Sequence, residues 1–99
     1  MRIELLTVAG CPHRDVTLDR VREALDLAGR RDVVVTERRV DDAEAAQAVG
    51  MRGSPTILVD GRDPFAADDT ASSLSCRLYR SERGVEGAPT VEALVDALG

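Results

Sequence analysis

Between Ile3 and Val40 the apolar residues change their period twice. Ile3 to Val8 is a short apolar run that Gly10 ends, the pattern of a buried strand. From Asp15 to Ala28, Leu18, Val21, Leu25 and Ala28 recur at helical spacing, and Gly29 supplies the stop. Arg14, Asp19, Arg22 and Asp26 lie mostly on other faces of that helix. Asp32 to Val40 opens with Val33-Val34-Val35, a β-branched run that reads as a second strand. A strand, a helix and a strand in this order predict a parallel pair with a right-handed crossover.

The remaining chain extends the pattern. Asp41 is expected to cap a second helix, with Glu44 in the capping-box position and Gly50 as the stop. Its face is alanine-rich (Ala43, Ala45, Ala46, Ala48) and suits close packing on a sheet. Thr56 to Val59 reads as a third strand, followed by an Asp60-Gly61 turn. Gly61 to Ser73 is a long polar loop. Leu74 to Tyr79 alternates Leu74, Cys76 and Leu78 with Ser75, Arg77 and Tyr79, which predicts a half-buried strand. Arg80 to Ala88 reads as a loop, and Thr90 caps a last helix carrying Val91, Leu94, Val95 and Leu98 on one face. The expected fold is α/β in the order βαβαββα: a four-stranded mixed sheet with helices on both faces, a three-layer arrangement.

The 99 residues fit a single domain spanning 1–99. Aromatic residues are only 2% of the chain and the net charge is -5. Base stacking needs aromatic platforms and phosphate backbones need a basic surface, so nucleic acid is not an expected partner. No segment approaches the roughly 18 apolar residues of a membrane span, so no membrane partner is expected. Met1 to Gly10 lacks the basic stretch and cleavage site of a secretory signal, and a cytoplasmic location is expected. Thiols are kept reduced there, and two distant cysteines, Cys11 and Cys76, are too few for a disulfide scaffold. No phosphate-binding glycine motif, serine–histidine triad or zinc-ligand cluster is present, and no cofactor is expected.

Cys11-Pro12-His13-Arg14 follows the first strand and opens the first helix. Ser54-Pro55-Thr56 precedes the third strand. In these two motifs and in element order the chain resembles the thioredoxin-like superfamily. Cys11-Pro12-His13 matches the Cys-Pro-His of DsbA-type oxidants, with Arg14 where a second cysteine stands. Ser54-Pro55-Thr56 is similar to the family's cis-proline segment. The chain also resembles small bacterial thioredoxin-like proteins, some labelled alkylmercury lyase and others a (seleno)protein family. The pieces shared with them are Cys11-Pro12, Gly53-Ser54-Pro55-Thr56, Asp63-Pro64-Phe65, Ser75-Cys76-Arg77-Leu78-Tyr79 and Gly87-Ala88-Pro89.

The resemblance implies that Cys11 is a nucleophile. Free amides and the positive dipole end at a helix start favour a thiolate, and His13 or Arg14 can add to this. The bland alternative is an inert buried cysteine. With no cysteine at Arg14, a mixed disulfide on Cys11 is released by an external thiol reductant or by Cys76. The parity of Cys76 points it to the core, as a packing residue or as a resolving or metal-binding thiol. His13 either orients the thiolate or lies in solvent, and Arg14 is either a surface residue or an anion-binding one. The resemblance implies a cis Pro55, with backbone groups around Ser54 and Pro55 free to pair with an extended substrate. Asp63, Asp68 and Asp69 read as a solvated acidic loop and Phe65 as a loop anchor.

Three functions follow. One is a thiol redox protein acting on a disulfide, a small thiol or an electrophile. Another is a protein binding a soft metal or organomercurial between Cys11 and Cys76. The third is a redox-inactive interaction domain.

Overall fold

The computed structural model describes residues 1–66 and 71–99. Strand β1 (Ile3–Thr7) leads to helix α1 (Arg14–Leu27), strand β2 (Val35–Arg39) and helix α2 (Ala43–Val49). Strands β3 (Arg52–Ser54) and β4 (Thr56–Val59) follow, then β5 (Ser73–Cys76), β6 (Tyr79–Ser81), β7 (Gly84–Glu86) and helix α3 (Val91–Leu98). The main sheet is mixed and ordered β2-β1-β4. β1 runs parallel to β2, with Ile3 opposite Val35 and Thr7 opposite Arg39, and antiparallel to β4, with Leu5 opposite Ile57.

The two faces of β1 build two cores, because alternate side chains point oppositely. Ile3 and Leu5 join Ile57 under α1 (Leu18, Val21, Ala24, Leu25) and α3 (Leu94, Leu98). Leu6 joins Leu58, Val40 and Met51 under α2, through Ala46. Helices therefore cover both faces, and every residue of β1 is buried. Thr90 caps α3 by accepting from Ala93 N–H at 3.1 Å. Gly50 closes α2 in the left-handed region, at φ 74°.

Several expectations need correction. The cap of α2 is Asp42, which accepts from Ala45 N–H at 2.7 Å, and not Asp41. Helix α1 begins at Arg14 behind the N-cap His13. Cys11 and Pro12 lie in a turn ahead of it, because the Arg14 N–H is bonded to the Cys11 carbonyl at 3.3 Å. Among the described residues the main sheet has three strands, not four. β5 does not form a hairpin with β4; it runs parallel to the short strand β3. The segment expected as one strand, Leu74 to Tyr79, breaks after Cys76 and resumes at Tyr79. The loop expected over Arg80 to Ala88 instead contains most of an antiparallel hairpin, β6–β7, in which Tyr79 pairs with Glu86. Past that break Tyr79 is buried and Leu78 exposed; Cys76 is exposed already at the end of β5, where the pairing with β3 shifts register. Asp68 and Asp69 lie outside the described residues.

Candidate functional site

Cys11 sits where the chain leaves β1. Its N–H donates to the Val8 carbonyl at 3.3 Å, and the Val8 N–H donates to Ser54 Oγ at 3.1 Å. One turn thus holds the Cys11 loop against the Ser54-Pro55 segment. Cys11 is half-buried, on a cleft of about 560 Å³ whose lining includes Val8, Gly10, Arg14 and Glu37. Pro12 beside it is exposed.

His13 is half-buried, and its imidazole lies on the backbone of Gly87, where a Cβ would overlap the ring. Farther along α1, Arg20 fastens the same stretch. Its guanidinium donates to the Pro89 carbonyl at 3.1 Å and pairs with Glu86 at 3.0 Å. Arg14 turns away to carboxylates, pairing with Asp15 and Glu37, each at 2.5 Å. Both push its guanidinium further up from the usual range, Asp15 foremost.

Ser54 and Pro55 are fully buried, and the peptide bond between them is cis. Their backbone carbonyls are occupied, contrary to the expectation of free groups. The Ser54 carbonyl accepts from Arg77 N–H at 3.0 Å, and the Pro55 carbonyl accepts from the Tyr79 hydroxyl at 2.5 Å. Tyr79 is the main residue that sequence reading missed. Burial pushes its phenol well up from the usual range; Arg77 opposes this, while Asp63 and Cys11 add to it.

Arg77 holds this arrangement from below. It makes a two-point ion pair with Asp63, at 2.5 and 3.3 Å. The pair is shut off from solvent, with side-chain exposures of 9% and 0%. The Arg77 guanidinium lies over the Tyr79 ring at 4.7 Å, and Phe65 meets the same ring edge-on, with centroids 5.4 Å apart. Asp63 is thus a buried partner and not a solvated loop carboxylate. The signal for it lay in Asp63-Pro64-Phe65 and Arg77-Leu78-Tyr79, two motifs read apart.

Cys76, expected in the core, is exposed, in register with Ser54 on the neighbouring strand. Both cysteines are free thiols. Among the described residues no three His, Cys, Asp or Glu side chains gather as a metal-holding group, and no helix is long and apolar enough to cross a membrane. Set against models of protein families, curated proteins and solved structures, the chain matches none.

Proposed function

We propose that the chain is a thioredoxin-like thiol redox protein of the cytoplasm that works through Cys11 as a single nucleophile. One observation carries the reading: a half-buried, unpaired thiol on an open cleft, tied through Val8 to Ser54 beside a cis proline. The sheet order β2-β1-β4 supports the thioredoxin-like part, because the strand before the cysteine is central and the strand after Pro55 runs antiparallel to it. The start of α1 supports the reactivity. His13 places no side-chain cap on the first-turn amides, whose dipole end favours a nearby anion.

Arg14 stands where a dithiol enzyme has its second sulfur. A mixed disulfide on Cys11 is then cleared by an external small thiol, with Cys76 as the internal alternative. The test is alkylation at neutral pH of a Cys76→Ser chain, which leaves Cys11 as its one thiol. The expected rate is about tenfold above that of a cysteine in an unstructured peptide. An equal or slower rate overturns the reading. Intact mass of the unaltered chain under oxidant then shows whether Cys76 joins Cys11.

A further inference from the structure

We infer that Cys11 exchanges with small disulfides and not with extended peptide or protein disulfides, because the chain's own residues fill the backbone positions a peptide would use. This rests on the reading of Cys11 as a nucleophile. An extended peptide is held at a sheet edge chiefly by main-chain hydrogen bonds. Next to Cys11 the natural edge is the segment running through Ser54 and Pro55, which the Val8 bond places against the Cys11 loop. Four acceptors on it are taken. Arg77 N–H fills the Ser54 carbonyl, and the Tyr79 hydroxyl fills the Pro55 carbonyl. Val8 N–H fills Ser54 Oγ, and the Thr56 hydroxyl donates to the Gly53 carbonyl at 2.5 Å. Strand β5 lies along β3 where an added strand would lie, with Cys76 opposite Ser54.

The edge that borders the cleft is β2. Its residues Thr36, Glu37, Arg38 and Arg39 are all exposed, so charge follows charge along it, a pattern that discourages strand addition. What remains open is the cleft itself, about 560 Å³, with room for a small molecule beside the sulfur.

The chemistry balances without a further oxidant. The Cys11 thiolate attacks one sulfur of a small disulfide; a sulfur–sulfur bond to Cys11 forms, the original one breaks, and the other half leaves as a thiolate. A second small thiolate then attacks the mixed disulfide at the non-protein sulfur. It forms a new small disulfide and returns the electron pair to Cys11.

The experiment compares 2-hydroxyethyl disulfide with a disulfide joining two unstructured decapeptides. Each is reacted with the Cys76→Ser chain and, as reference, with an unstructured cysteine peptide. Without those hydrogen bonds nothing offsets the ordering of the peptide chain at the cleft, and fixing the backbone of about one residue corresponds to a roughly tenfold slower reaction. The expected result is acceleration over the reference for the small disulfide and a rate at least about tenfold less accelerated for the peptide disulfide. Equal acceleration of both overturns the size restriction and leaves the Cys11 reading standing. Acceleration of neither overturns the Cys11 reading and this inference with it.

Discussion

Two arginines of this chain make the same kind of contact in opposite surroundings. Arg14 meets Glu37 and Asp15 at the rim of the cleft, where the side chains of Arg14 and Glu37 are 45% and 38% exposed. Arg77 meets Asp63 with almost no solvent access to either side chain. Water screens the rim contacts, and holding two long side chains together there costs entropy. In the interior nothing replaces a lost partner, so removal of one charge strands the other. The difference teaches where the site takes its shape. The Ser54-Pro55 segment that holds the Cys11 loop through Val8 is fixed by a buried clamp, and the ion pairs visible at the cleft mouth contribute little.

The largest effect is expected for Arg77→Leu. It leaves the Asp63 carboxylate buried and unpaired, and a loss of about 3–5 kcal/mol in urea unfolding is the expected outcome. A loss no larger than that of the rim variant would erase the contrast. Next comes Tyr79→Phe, which keeps the ring and strips the hydrogen bond from the Pro55 carbonyl. About 1–3 kcal/mol should be lost, read by the same method.

Tyr79 also sharpens the comparison through pH. Its phenol is raised in the folded chain, so the folded state holds that proton more tightly than the unfolded state does. The resulting stability is complete below the ordinary phenol value of ~10 and is lost as pH rises from there toward the folded value. Tyr79 is the one tyrosine, so phenolate absorbance follows it alone. Tyr79→Phe should flatten the alkaline fall in stability; an unchanged alkaline limb would show that the phenol is not its source. The smallest effect belongs to Arg14→Gln, whose unfolding midpoint should stay within error of the parent and be insensitive to salt. A clear drop would mean that the rim is also a clamp.

The strong local patterns of the sequence carried over to the fold. The apolar run of β1, the helical spacing of α1, the Gly50 stop and the Thr90 cap each stand within a few residues of expectation. Their causes are local, in backbone periodicity and end chemistry. The clamp was not legible in that way. Arg77 and Asp63 are 14 residues apart, and periodicity registers only which face a residue takes, not which distant charge it meets. Tyr79 and Cys76 exchanged environments for a related reason. Alternation assigns faces only along a regular strand, and this one shifts register against β3 before Cys76 and breaks at Arg77-Leu78. Its partner, β3, is a three-residue strand containing Gly53, and sequence reading assigned no strand between Gly50 and Thr56.

Gly53 gives that pairing a mechanical weak point. Its backbone sits at φ 110°, and a Cβ added there would stand 2.8 Å from the Arg77 Cβ and 3.1 Å from the Ser75 carbonyl oxygen. One methyl group would therefore act as a wedge, driving apart the very seam that keeps Arg77 seated on Ser54. Two strands so close can stay zipped only while the space between them holds hydrogen alone.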